Sequence, residues 1–210
     1  MTRKLALAAA LCLAVAAAPR PARATGYLDH WHPYQTYWAV AWQAAVPVLE
    51  LDQGFVGAPS WVGGALAIRV GVLPRIAAGV SFDWSWFTDT APFGLVERPD
   101  YTITGPSYRR LATYTLLGTL HWYLSSGTVQ PFVGIGVGPV WWDTRVQSVD
   151  VKDYAAGVAL AVVPEAGLLF NVVPRFGFYV SGTYHWTQAA LYGVKNAQWA
   201  GGQVGAAYYF

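Results

Sequence analysis

The chain has 210 residues, of which 55% are hydrophobic, 16% aromatic and only 11% charged. Soluble domains carry about 25% charged residues, so there is too little charge here to clothe a water-exposed globule. Disorder, which needs low hydrophobicity and high charge, is excluded, and the length fits one domain.

Residues 1–24 have the pattern of an export signal. Arg3 and Lys4 precede an apolar stretch from Leu5 to Ala18, too short to span a bilayer, and Ala22-Arg23-Ala24 forms a small-x-small cleavage site. The sole cysteine, Cys12, lies in that stretch, so the mature chain is expected to have no disulfide, thiol chemistry or Cys-ligated zinc. Removing Arg3, Lys4, Arg20 and Arg23 leaves 9 basic against 11 acidic residues and moves the net charge from +2 to −2. No basic patch points to nucleic acid. Residues 25–36 read as a solvated periplasmic tail. Its Asp29-His30-Trp31-His32 offers ligand types suited to copper or zinc, but two ligands on a tail are too few, and no metal site or other cofactor is expected.

Beyond residue 24 no uninterrupted run of 18 apolar residues occurs, which argues against membrane-spanning helices. The pattern has period two instead. A first strand over 37–48 sets Trp38, Val40, Trp42, Val46 and Val48 against Tyr37, Ala39, Ala41, Gln43 and Ala45. The same alternation predicts strands over 61–72, 75–87, 108–124, 131–142, 154–171, 175–187 and 198–210. In strand three, Val80, Phe82, Trp84 and Trp86 oppose Gly79, Ser81, Asp83 and Ser85; in strand five, Val133, Ile135 and Val137 oppose Gly134, Gly136 and Gly138. Connections alternate between short turns (73–75, 125–130, 173–175) and longer loops (49–60, 88–107, 143–153, 188–197), the habit of outer-membrane barrels.

Periodicity alone does not say which face meets water. Were the bulky face inside, the other would be a soluble surface and should carry about 25–35% charge. It carries mainly Ala, Gly, Ser and Thr instead. Small residues facing a narrow lumen, with the bulky face in lipid, fit better. Aromatic residues fall at both ends of the outward faces, as interfacial girdles would: Trp84, Trp86, Trp141, Tyr184 and Trp186 at one end, Trp38, Trp122, Phe170, Phe176, Tyr208 and Phe210 at the other. The expected fold is therefore all-β: an eight-stranded, antiparallel, up-and-down transmembrane β-barrel over 37–210.

Gln130-Pro131-Phe132-Val133-Gly134-Ile135-Gly136-Val137-Gly138, the Val-Pro-Arg-Phe-Gly-Phe turn at 173–178 and the terminal Tyr208-Tyr209-Phe210 resemble outer-membrane β-barrels of the OmpA/OmpX kind. The resemblance implies location in the outer membrane of a Gram-negative-type cell, contact with its lipids and lipopolysaccharide, and recognition of Tyr208 and Phe210 by the barrel-assembly machinery. No peptidoglycan-binding stretch follows, so the tethering role of longer members is not expected.

Five ionisable residues fall on mid-strand inward faces: Arg69, Asp83, His121, Glu165 and His185, joined by Gln43, Asn171 and Gln203. A lone charge in a low-dielectric interior is costly, so a lumen polar network is expected in which Asp83 or Glu165 satisfies Arg69. His185-Trp186-Thr187 looks a little like the His-x-Ser of barrel-type lipid A deacylases. Its hydroxyl is Thr, no carboxylate follows in 188–210, and its parity is inward, away from a lipid substrate. The expectation is a monomeric, non-enzymatic barrel with no catalytic residues and a side-chain-filled lumen, structural in role or binding through its outer loops, above all 88–107. A narrow small-solute channel is the alternative, followed by a lipid A-modifying enzyme.

Overall fold

The structure, a computed structural model, describes residues 35–97, 102–148, 152–191 and 194–210, with side chains from 91 to 104 outside the description. The export segment and the His30/His32 tail lie outside the described residues. Eight antiparallel strands close into one barrel in sequence order: β1 (Thr36–Val48), β2 (Val62–Leu73), β3 (Ile76–Glu97), β4 (Thr102–Tyr123), β5 (Val129–Gln147), β6 (Lys152–Val173), β7 (Phe176–Thr187) and β8 (Gln198–Tyr209). Closure is made by β1 against β8, from Tyr37↔Tyr209 to Val48↔Gln198, so that no strand of the barrel wall is an edge strand. One short helix, α1 (Glu50–Gly54), lies in the β1–β2 connection.

The alternation sorts the side chains as the composition argument requires. On β1, Trp38 is 56% exposed and Val40 54%, while Tyr37 is 2% and Gln43 1%. Leu66, Ile68, Leu120, Val137, Val158, Phe178 and Val204 continue the exposed apolar band around the wall. Ala112 keeps outward parity but is buried, flanked in the sheet by Trp86 and Asp143.

Four strands run further than the alternation suggested, and the expected 88–107 loop is the clearest correction. β3 and β4 stay paired from Trp86↔Ala112 to Glu97↔Thr102, making a long hairpin. β4 pairs with β5 only as far as Tyr108↔Gln147, so beyond it the two strands of the hairpin hold each other alone. Pro92 and Pro106, both within the expected loop, fall where the register shifts between Ala91↔Ser107 and Gly94↔Gly105. A residue without an N–H fits where the ladder is already interrupted. Gly105 beside them has φ +117, a conformation that side-chain-bearing residues rarely adopt. The 143–153 loop shrinks likewise, because β5 and β6 pair out to Gln147↔Lys152.

Of the prolines within strands, Pro139 and Pro164 lie far from the strand ends. Pro139 falls in a gap of the β4–β5 ladder, between Gly118↔Val137 and Thr115↔Val140. Pro164 falls in a gap of the β6–β7 ladder, between Val162↔Trp186 and Glu165↔Thr183. Each opening lies where proline has no hydrogen to donate.

If the exposed band lies in acyl chains, a charge at its middle is costly. Val137→Arg, at mid-band on β5, is expected to destabilise the folded barrel by about 2–4 kcal/mol, whereas Ser125→Arg, in a turn, is near neutral. Urea unfolding of the vesicle-inserted protein checks this, and equal midpoints would contradict the lipid-facing assignment.

Candidate functional site

The interior is layered. At the turn end, Tyr37, Tyr123, Phe132, Leu169, Tyr179 and Tyr209 pack together. The Tyr37 and Tyr123 hydroxyls are hydrogen-bonded to each other, and the Tyr37 and Tyr209 rings lie 5.3 Å apart. At the loop end, Phe87, Leu111, Val140, Val146 and Trp199 are closed over by Leu51, Phe55 and Val56 from the β1–β2 connection and by Leu191 and Val194. That cover is tied down. Arg109 Nη1 donates to the Phe55 carbonyl at 3.1 Å, Asp89 Oδ2 accepts from the Gly57 N–H at 2.8 Å, and the Lys195 N–H donates to Glu50 Oε2 at 3.0 Å.

Between the two apolar layers lie the polar residues read from the sequence. All five predicted ionisable residues point inward, and three are joined through one carboxylate. Glu165 Oε2, on β6, is 3.3 Å from Arg69 Nη2 on β2 and 2.8 Å from His121 Nε2 on β4. Arg69 Nη1 also donates to the Tyr37 hydroxyl at 3.3 Å. Of the two carboxylates open to Arg69, the one across the lumen takes it. Asp83 lies four residues along β3 from Gly79, the cross-strand partner of Arg69, and among the described residues its carboxyl group makes no hydrogen bond. His185 also stands apart: it is buried, stacked on Trp199 with centroids 4.7 Å apart, and among the described residues neither ring nitrogen has a hydrogen-bond partner. A separate chain of amides runs toward the loop end: Gln203 Nε2 to Gln43 Oε1 at 2.8 Å, and Gln43 Nε2 to Ser85 Oγ at 3.1 Å. Asn171 accepts from the Tyr209 hydroxyl at 2.7 Å.

Cross-strand glycines make room for this layer. His121, Gly134 and Glu165 lie in one row across β4, β5 and β6. A Cβ at Gly134 would stand 2.4 Å from the His121 ring, so only glycine there lets the imidazole pass over β5 to the carboxylate. Gly79 does the same beneath Arg69, where a Cβ would meet Arg69 Cγ at 2.9 Å. The space left among Arg69, Asp83, Thr119, Glu165, Tyr179 and Gln203 is about 10 Å³, the scale of a single water.

Other predicted features separate. Thr187 is fully buried and donates to the Ala197 carbonyl at 2.7 Å, so its hydroxyl does not face His185. Among the described residues no group of three or more His, Cys, Asp or Glu is placed to hold a metal ion. Tyr208 and Phe210 lie on the outer wall at the turn end with rings 5.1 Å apart, Phe210 edge-on to Trp38. One feature has no counterpart among the residues singled out from the sequence. On the outer wall at the loop end, Arg110 and Arg145 are direct cross-strand partners. Only the register reveals the pair, since 35 positions separate them in the chain.

No protein-family model matches the chain, and no curated protein matches it by sequence. Solved structures do match its fold. Neisserial surface protein A aligns over 85% of this chain and 98% of its own at 12% identity, with a TM-score of 0.56. Ail, the attachment invasion locus protein of Yersinia pestis, aligns over 85% and 100% at 12% identity, with a TM-score of 0.53. A major outer membrane protein from Thermus thermophilus aligns over 83% and 99% at 15% identity, with a TM-score of 0.50. The likeness is one of fold: this chain is an eight-stranded β-barrel of the outer-membrane type, consistent with the OmpA/OmpX-like architecture.

The Arg69–Glu165 contact sets up a sharp comparison. Glu165→Ala leaves a guanidinium buried without its carboxylate and is expected to cost about 3–5 kcal/mol. Replacing the pair together, Arg69→Met with Glu165→Leu, should recover most of that loss. Urea midpoints of the lipid-folded variants measure both. A double variant no more stable than Glu165→Ala would show that the pair does not act as a unit.

Proposed function

We propose that this chain is a non-conducting, non-enzymatic outer-membrane protein. Its packed interior makes a rigid scaffold, and its contacts are made by the surface at the loop end, led by the β3–β4 hairpin. Residues 1–24 direct its export, Tyr208 and Phe210 present it to the assembly machinery, and it works as a monomer among outer-membrane lipids. The observation that carries this reading is the closure of the lumen at both ends. The Tyr37–Tyr123 layer fills the turn end and the Phe55–Trp199 layer the loop end, with a gap of about 10 Å³ between the polar side chains. A solute path would need both layers to part, which weighs against the small-solute channel.

The catalytic alternative has less support still. An acyl-transfer site needs a hydroxyl, its base and an orienting carboxylate within reach of the substrate. Here His185 and Thr187 are both inside the barrel, and the Thr187 hydroxyl is committed to a backbone carbonyl. The hairpin supports the surface reading. It extends the sheet beyond the rest of the wall as two strands paired with each other, and binding residues concentrate on projections held by a rigid scaffold.

Planar-bilayer recording tests the claim. The purified, heat-modifiable protein is expected to give no stable open level, even at high salt and 100–200 mV (about 2–5 kcal/mol per elementary charge). Steady unitary currents that change on Phe55→Ala or Tyr123→Ala would instead establish a conduit through the two layers.

A further inference from the structure

The Arg110–Arg145 pair lies outside anything the closed lumen explains. Arg110 on β4 and Arg145 on β5 face each other directly across the ladder, on the outer wall. Like charges directly opposite on one sheet face are destabilising. Among the described residues neither guanidinium has a carboxylate within ion-pair distance. Asp143 lies on the same outward face, two residues along β5 toward the acyl band and opposite Ala112, and bridges to neither. Each guanidinium carbon lies over an aromatic ring instead, Arg110 5.2 Å from the Trp86 ring centre and Arg145 5.3 Å from that of Tyr154. A cation–π contact of this kind engages the face of the ring and uses no N–H donor in a conventional hydrogen bond. Of the donors on both groups, one is engaged within the described protein, Arg145 Nη2 with Gln147 Oε1 at 3.4 Å, while Arg145 Nε is shielded and unpartnered.

Depth identifies the occupant. From Trp122 at the turn-end girdle, β4 climbs to Arg110 in twelve residues. At about 3.4 Å per residue and a tilt near 40° that is roughly 30 Å along the barrel axis. The apolar band of such barrels is about 25 Å tall, which puts the arginines roughly 5 Å above it, at headgroup height on the loop side. Below them the wall offers Tyr114, Leu116, Val137 and Trp141 to acyl chains, and Lys152, exposed at the start of β6 and opposite Gln147, extends the cationic row.

We infer that Arg110 and Arg145 form a docking site for the phosphate of a phosphorylated glycolipid of the outer leaflet, of lipid A chemistry. The Arg110 guanidinium and the Nη end of Arg145 offer charge-assisted donors to the oxygens of a phosphate monoester, and the anion relieves the repulsion between the two cations. Lys152 adds charge at the edge, and the acyl chains lie on the apolar wall beneath. The site deepens the outer-membrane reading above and rests on it.

Native mass spectrometry of the detergent-folded full chain, titrated with diphosphoryl lipid A, tests the site. The unmodified protein is expected to retain one lipid A, and R110Q/R145Q to hold it at least about tenfold more weakly, the scale of losing charge-assisted hydrogen bonds. Dephosphorylated lipid A should be held as poorly by the unmodified protein. R75Q/R175Q, which removes the same charge from the turn end, should bind normally. R145K, which keeps the charge and loses the planar guanidinium over Tyr154, should fall between and serves if the double variant lacks the heat-modifiable gel shift of a folded barrel. Undiminished binding by R110Q/R145Q or by R145K overturns the site, as do equal retention of the dephosphorylated lipid and an equal loss in R75Q/R175Q. A folded, heat-modifiable protein that fails these comparisons loses the site and keeps the barrel reading; a chain that never acquires the gel shift loses both.

Discussion

Eight strands closed edge to edge leave an interior only about two side chains across, and every large inward residue needs room from its neighbour. The chain meets this by pairing bulk with glycine across the ladder. Arg69 faces Gly79, His121 faces Gly134, Phe132 faces Gly167, Trp142 faces Gly157 and Tyr179 faces Gly205. In each case a Cβ on the glycine would stand closer than 3.0 Å to its partner's side chain. The glycines weaken the strands they occupy. That cost is offset by a lumen filled without large voids, which close packing demands.

The same narrowness decides where charge can sit. Arg69 and Glu165 come from opposite sides of the wall, β2 and β6, and meet near the middle with His121, between an aromatic layer and an aliphatic–aromatic one. Neither member could be solvated there, so each depends on the other. A buried pair of this kind adds little net stability over an apolar filling. Its effect here is to tie three strands that are not neighbours in the sheet. Sequence separations of 96 and 44 residues give these contacts a loop-closure cost in entropy.

Much of this was legible in the sequence because a strand's two faces alternate without drift. Trp38, Val40 and Trp42 against Tyr37, Ala39 and Ala41 specify the orientation of β1 by themselves, and the absence of surface charge tells inside from outside. What the alternation missed was the length of the β3–β4 hairpin: Pro92 and Pro106 fall where the ladder is interrupted, something no single strand reveals. The choice of Glu165 over Asp83 as the partner of Arg69 was equally hidden, since it depends on closure bringing β6 across from β2. The glycine run 134–138 was correctly read as small inward residues, but its role beneath His121 needed the row. The Arg110–Arg145 pair was invisible for the same reason: period two gives each arginine a face, and only register gives it a neighbour.

The account turns on which medium the bulky face meets. The most direct measurement is nitroxide accessibility on the vesicle-inserted protein with Cys12 replaced and single cysteines placed at Leu66, Val137 and Leu160. The account predicts relaxation by dissolved oxygen, which partitions into acyl chains, and protection from a water-soluble nickel chelate at all three positions. Fast relaxation by the chelate at those positions, with oxygen having little effect, would mean that the tryptophan- and valine-rich face looks at water, and the barrel would not be a membrane protein of the kind described.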